Sequence, residues 1–262
     1  MTEATIQTPP ATRVFCRNEL NTRDPEKAIE FFTALCGWTT EPDKLGEFDY
    51  HWFVKDGVRF GGMIDMSSHE EWGEMSPHWM HYIAVEDCDA AVAKVKKLGG
   101  KICYEGHEVP GVCKFAIISD PTGGTVSLYQ SLKPMDIGDA FAWMELMTRD
   151  LDAAVAFYTE VIGWTTQTMP TGQGDDVYTM FANGETPIAG CFPMKGEKYD
   201  EVPVHWEGYI GTDDAERDAA KVKELGGKIV VPPTEIPGVG RFFTFIDPTG
   251  ARISMYESKP PG

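Results

Sequence analysis

The segment DPTGGTVSLYQS at Asp120 to Ser131 returns as DPTGARISMYES at Asp247 to Ser258. The blocks before it return in the same order. ELNTRD from Glu19 answers ELMTRD from Glu145, AKVKKLGGKI from Ala93 answers AKVKELGGKI from Ala220, and HW at His78 answers HW at His205. The offset is 150 − 24 = 126 early in the repeat and 247 − 120 = 127 late, so one residue of length change lies between. Such a tandem copy constrains the chain to fold as two like units of roughly 125 residues each. With 262 residues, 42% of them hydrophobic, two ordinary cores can form without disulfide or metal staples.

A formal charge of −18 opposes phosphate backbones and anionic bilayers, so neither a nucleic-acid nor a membrane partner is expected. The chain has no run of eighteen apolar residues. Its start, MTEATIQTPPATR, lacks the basic-then-apolar order of a signal peptide, which makes a cytoplasmic location the expectation. The six cysteines form no CxxC. Cys16, Cys36, Cys88, Cys103 and Cys113 face Ala142, Ile162, Ala215, Val230 and Gly240 in the other half, a pattern expected of reduced core fillers.

Each half itself holds two units of one type. Val14 to Asp24 reads as a strand leading to a helix capped by Asp24, with Ala28, Phe31, Phe32 and Leu35 as its apolar stripe and Gly37 as its stop. Short strand-like runs follow, with Asp56-Gly57 as a hairpin turn, and the theme restarts at Trp79. Strand, helix, three strands is written four times. The expected class is α+β: curved mixed sheets with helices on one face and a concave cup on the other. The expected boundaries are a tail at 1–12, a first domain at 13–131, a linker at 132–140 and a second domain at 141–258.

The text DPEKAIEFFTALCGW (Asp24 to Trp38), its counterpart DLDAAVAFYTEVIGW (Asp150 to Trp164) and the two DPTG turns closely resemble the vicinal oxygen chelate superfamily. That group includes glyoxalase I, extradiol dioxygenases and the fosfomycin- and bleomycin-resistance proteins. The resemblance implies tandem glyoxalase-like domains, and it is specific for fold rather than reaction. It also implies metal-ligand positions on the first strand of each module and on the final strand after each closing turn. Here these hold Arg17, Met80, Trp143 and Glu207, and then Ser127 and Ser254. Of these only Glu207 binds a metal well, so no metal cofactor is expected. The alternative is a divalent metal on displaced ligands, Glu207 and His81 with Glu19 or Glu145. His81 lies one residue off the ligand position, which turns it to the helix side.

Glu19 and Glu145 lie two residues beyond the first-strand ligand positions, on the cup face by period-two alternation. Arg17, Glu19 and Asn21 read as a solvated polar face, whereas Trp143 and Met147 suggest an apolar wall around Glu145 with a raised carboxyl pKa. Tyr82, Tyr129, Tyr209 and Tyr256 fall on cup positions, with Trp52, Tyr178 and the Trp79/Trp206 pair expected nearby, while Trp38 and Trp164 are expected in the core. His78 and His205 are expected to bond their own loops. The function expected is binding of a small aromatic molecule. The alternatives are a metal-dependent lyase, isomerase or dioxygenase, and a metal-free acid–base enzyme using Glu145. Four modules imply a monomer with an internal pseudo-dimer, a homodimer being the alternative. Whether module one pairs with two or with four stays open, since the connectors span either arrangement.

Overall fold

The computed structural model describes residues 11–45, 48–68, 72–135, 137–170 and 177–259, so most of the expected N-terminal tail lies outside the described residues. The first half runs β1 (Phe15–Thr22), α1 (Pro25–Cys36), β2 (Thr39–Leu45), β3 (Phe48–Lys55), β4 (Val58–Asp65), then β5 (His78–Ala84), α2 (Cys88–Lys97), β6 (Lys101–Val109), β7 (Cys113–Ser119) and β8 (Thr125–Ser131). The second half repeats this as β9 (Phe141–Thr148), α3 (Leu151–Ile162), β10 (Thr165–Pro170), β11 (Val177–Asn183), β12 (Thr186–Pro193), then β13 (His205–Thr212), α4 (Ala215–Glu224), β14 (Lys228–Ile236), β15 (Gly240–Ile246) and β16 (Arg252–Ser258). The class is α+β, with the five-element module present four times.

Local chemistry sets these boundaries. Asp24, Asp87, Asp150 and Asp214 each cap a helix by accepting from the backbone N–H three residues on. α1 and α3 end where Gly37 and Gly163 take φ of 71° and 81°, a left-handed turn that costs glycine little. In each closing turn a single aspartate oxygen gathers the loop. Asp120 Oδ1 accepts from the N–H groups of Thr122, Gly123 and Gly124, and Asp247 Oδ1 does the same for Thr249, Gly250 and Ala251.

Long-range pairing settles the open question of module partners. The sheets have the orders β2-β3-β4-β1-β5-β8-β7-β6 and β10-β11-β12-β9-β13-β16-β15-β14. β1 lies antiparallel to β5 and β9 to β13, so each half closes its own sheet by joining its two modules. The helical faces then meet between the halves, α2 against α3 and α1 against α4. Both main cores are therefore shared. One joins Val95, Ile118 and Leu128 to Phe157, Trp164 and Trp206. The other joins Phe32, Trp38 and Trp79 to Val222, Phe243 and Phe245. The cup faces point away from this layer.

Two expectations change. Trp79 and Trp206 do not lie near the cups but in the shared cores, because they alternate with Met80 and Glu207 along their strands and so face the helices. Cys103 is exposed rather than a core filler, because it lies on β6 at the sheet edge, where nearly every side chain is uncovered. Among the other cysteines, Cys16, Cys88, Cys113 and Cys191 are buried and Cys36 is partly so.

The shared core is not symmetric in its polar groups. Trp206 Nε1 donates to the Tyr158 hydroxyl (2.8 Å), which donates to Asp120 Oδ2 (3.0 Å). The counterpart of Tyr158 is Phe32 (158 − 126 = 32), and without that hydroxyl the matching atoms, Trp79 Nε1 and Asp247 Oδ2, are buried with no partner. Near the same junction His81 is buried at 2% exposure, its Nδ1 lying 2.7 Å from Asn18 Oδ1. Its counterpart Gly208 supplies the space, since a Cβ there would meet the His81 ring at 2.8 Å.

Candidate functional site

On the outward face of each sheet, the central strand carries a carboxylate held by two phenols. In the second half, Glu145 Oε1 accepts from the Tyr178 hydroxyl and Oε2 from the Tyr209 hydroxyl (3.0 Å). In the first half, Glu19 Oε1 accepts from the Tyr82 hydroxyl (2.7 Å), and the Tyr50 phenol stands beside it as the second of the pair. The offsets match the repeat: 145 − 19 = 126, 209 − 82 = 127 and 178 − 50 = 128. A glycine completes each clamp. Gly62 pairs with Glu19 and Gly190 with Glu145, and a side chain at either would run into the clamp tyrosine, Tyr50 or Tyr178.

Burial disfavours the charged form of both carboxyls, and the phenol hydrogen bonds offset this only in part, so Glu19 and Glu145 both sit above the usual carboxylate range. The polar first strand was expected to be solvated. Instead Glu19 is 8% exposed, because Tyr50, Trp52, Tyr82 and Tyr129 close over it. The Arg17 guanidinium stacks there on Trp52, 4.6 Å from the ring centroid, with Tyr129 at 5.7 Å. Trp52 is held in turn by its Nε1 donating to Asp43 Oδ2 (2.8 Å).

The second cup is more open. Trp143, Glu145, Met147, Tyr178, Tyr209 and Tyr256 all keep partial exposure. Trp143 replaces Arg17, and Met180 replaces Trp52 (180 − 52 = 128). Trp143 Nε1 donates to the Tyr178 hydroxyl (3.1 Å), extending a chain of donors that ends on Glu145. Tyr256 leans to the rim, its hydroxyl donating to the Val239 carbonyl (3.0 Å).

Glu207 stands opposite Glu145 in the β9–β13 ladder and is 4% exposed. Its oxygens are occupied by Arg252 Nε (2.8 Å), His205 Nε2 (3.0 Å) and Ser254 Oγ (2.9 Å). Burial pushes the Glu207 carboxyl up, but His205 and Arg252 outweigh it and hold it below the usual range. His205 and His78 each also bond a loop carbonyl two residues back, that of Pro203 and of Ser76. The cup thus carries two neighbouring carboxyls whose pKa values are driven in opposite directions.

These residues do not fit a catalytic metal. The positions that the family resemblance assigns to ligands hold Arg17, Met80, Trp143, Ser127 and Ser254, with Glu207 alone as a donor and already neutralised. The fallback pair does not converge either. His81 packs in the shared core against Phe141, on the far side of the sheet from Glu207, since Gly208 next to Glu207 is what it touches. Among the described residues no group of three or more His, Cys, Asp or Glu side chains could hold a metal ion. Two cavities of about 180 and 170 Å³ lie by Thr12 to Arg13 and Val85 to Glu86, away from both carboxylates.

Sequence reasoning missed Tyr50, Gly62, Gly190 and Arg252. The signal for Arg252 was available, because it alternates with Ser254 and Tyr256 on one strand face. Among the described residues no helix is long and apolar enough to cross a membrane.

Residues 140–255 match the sequence model of the Glyoxalase/Bleomycin resistance protein/Dioxygenase superfamily, and residues 17–129 match that of the Glyoxalase-like domain. The chain is 34% identical over 251 residues to the putative glyoxylase CFP32 of Mycobacterium tuberculosis (strain CDC 1551 / Oshkosh), spanning 92% of this chain and 94% of that one. It is 27% identical over 256 residues to the anthracycline biosynthesis protein DauV of Streptomyces sp. (strain C5), spanning 91% of each. Among solved structures, the fold resembles the Mn(II)-bound glyoxalase from Novosphingobium aromaticivorans, with a TM-score of 0.62, 16% identity and coverage of 94% and 82%. It also resembles the 2,3-dioxygenase LapB from Pseudomonas sp. KL28, with a TM-score of 0.63, 14% identity and coverage of 97% and 96%.

Proposed function

The chain belongs to the glyoxalase/bleomycin resistance protein/dioxygenase superfamily, and on that premise we propose that its second-half cup binds a planar, hydroxylated aromatic molecule. The observation that carries the reading is Glu145, a carboxylate gripped by Tyr178 and Tyr209 at the floor of a cup whose aromatic lining stays partly exposed. Each carboxylate oxygen has a second lone pair, so the site offers acceptors to a ligand O–H or N–H while Trp143 and Tyr209 offer ring faces. DauV adds support, since an anthracycline is itself a hydroxylated polycyclic aromatic.

A second, metal-free reading has its own support. Two adjacent carboxyls with pKa values pushed apart, Glu145 up and Glu207 down, form a pattern suited to acid–base chemistry. In that reading Glu145 takes the proton of the ligand hydroxyl, and Tyr209 or Tyr178 passes its own proton back to the product as it takes the one held by Glu145 across their hydrogen bond, while Glu207 remains ionised against Arg252.

Calorimetry against planar phenols and quinones tests the binding claim. Glu145→Gln should weaken binding roughly 5- to 30-fold, the worth of one desolvated hydrogen bond of about 1–2 kcal/mol, with thermal stability nearly unchanged. Equal affinities for wild type and Glu145→Gln, together with loss on Glu19→Gln, would assign the binding to the other cup.

A further inference from the structure

Arg17 holds a charge in the first-half cup whose hydrogen-bonding capacity its surroundings leave partly unused, although the Glu19 carboxyl and the Tyr129 phenol stand near it. Its Nε and Nη1 are buried and have no hydrogen-bond partner. It enters no ion pair with a described residue. Glu19, two residues along the same face, feels the Arg17 charge but makes no direct ion pair with it and accepts from Tyr82. A guanidinium does not shed its proton in a protein, and buried N–H donors of a charged group cost more when left without acceptors than those of a neutral one. The other two buried side-chain polar atoms without partners among the described residues are accounted for differently. Trp79 Nε1 and Asp247 Oδ2 lie where the hydroxyl of Tyr158 has no counterpart, since Phe32 stands in its place.

Its place in the fold adds to this. Arg17 stands seven residues before the helix cap Asp24, where the family resemblance puts a metal ligand, so a permanent cation occupies a position where an inward donor to a metal would stand. Flat rings surround it: Trp52 on one side, Tyr129 beyond, and Tyr82 and Met80 in the same cluster.

We propose that the first-half cup is a second ligand site, which binds an aromatic carboxylate through the free N–H groups of Arg17 with its ring against Trp52 and Tyr129. The carboxylate supplies the acceptors that Nε and Nη1 lack, and charge-assisted hydrogen bonds of this kind are among the strongest available in a site shut off from water. The ligand reaches the guanidinium by displacing the Trp52 ring. That ring is held by one hydrogen bond to the exposed Asp43 and by stacking with Arg59, whose guanidinium lies 5.2 Å from its centroid. The two cups then differ in the ligand charge they accept. Glu145 selects donors, and Arg17 selects anions.

The test titrates benzoate and salicylate, with neutral benzamide as the shape control, into wild type, Arg17→Gln and the surface control Lys101→Gln, by calorimetry and by thermal shift. Benzoate or salicylate should bind wild type and Lys101→Gln alike and raise their Tm. Binding should weaken at least tenfold in Arg17→Gln, and benzamide should bind wild type at least tenfold more weakly than benzoate. If Arg17→Gln does not fold, the wild-type comparison of benzoate with benzamide decides alone. Equal binding of benzoate and benzamide, unchanged binding in a folded Arg17→Gln, or no binding of either acid to wild type would overturn the proposal.

Discussion

In the first-half cup Glu19, Tyr50, Trp52, Tyr82 and Tyr129 are at most 9% exposed, whereas in the second half Glu145, Tyr178, Tyr209 and Tyr256 keep partial access to water. The backbone and the carboxylate–phenol clamp are the same in both. What differs is the side chain at two matched places, Arg17 against Trp143 and Trp52 against Met180. An indole laid over a guanidinium closes one cup, and a thioether in its place leaves the other open. The shared core teaches the same lesson on a smaller scale. Tyr158 satisfies Trp206 and Asp120, and Phe32 leaves Trp79 Nε1 and Asp247 Oδ2 without partners. Duplication copied the architecture, and single side chains then made the halves unequal.

The comparison breaks most readily in the core. Trp38→Ala and Trp164→Ala should each cost about 3–5 kcal/mol, because both indoles are nearly fully buried and their removal leaves a cavity. Since both cores draw on both halves, denaturation of either variant should show one shared transition. Two separated transitions would mean that the halves are energetically independent.

Next in size is the acid response of His81, which has no counterpart imidazole in the second half. Burial lowers its pKa from 6.5 to about 3, so it is neutral in the fold while the unfolded chain takes up a proton below pH 6.5. Its contribution is therefore present above pH 6.5 and lost as pH falls toward 3, amounting to about 3 kcal/mol between pH 7 and pH 4. Urea midpoints at the two pH values measure it, and His81→Gln should remove most of that difference. An unchanged difference would place the acid sensitivity elsewhere.

Exchange of the core hydroxyl sharpens the comparison further. Tyr158→Phe should cost about 1–3 kcal/mol by leaving Trp206 Nε1 and Asp120 Oδ2 as bare as their first-half counterparts. Phe32→Tyr should gain about 1 kcal/mol by reaching Trp79 and Asp247. A Phe32→Tyr variant no more stable than wild type would show that the first-half pocket has no room for the oxygen.

The smallest effect is on binding. A phenol that donates to Glu145 needs the carboxylate, whose pKa lies above the usual range, so affinity should fall roughly tenfold as pH drops through that value. The Glu145→Gln variant should show a flat profile over the same range. A sloping profile in Glu145→Gln would assign the titration to another group.

Much of the architecture could be read from the chain because its signals are local. The aspartate caps, the glycine stops and the period-two alternation each act within a few residues, and they identify the modules and the cup-facing positions of Glu19, Glu145, Tyr82 and Tyr209. Alternation also puts His81 away from the cup, which the structure bears out by packing it against Phe141. The solvated reading of Glu19 failed for a nonlocal reason. A strand states which way its side chains point but not which rings arrive from β3 and β8 to cover them, and Tyr50, Trp52 and Tyr129 come from those strands.

The duplication, the α+β modules and the cup-facing positions of Glu19, Glu145, Tyr82 and Tyr209 were legible in the chain alone, because repeat, capping and alternation are properties of contiguous residues. Long-range packing is what joins module one to module two, merges the helices of both halves into common cores, and sets Glu145 against Tyr178 while Arg17 Nε and Nη1 stay without an acceptor. Those outcomes depend on which strands pair across long stretches of chain and on whether a particular ring fills a particular space, and no local pattern encodes either.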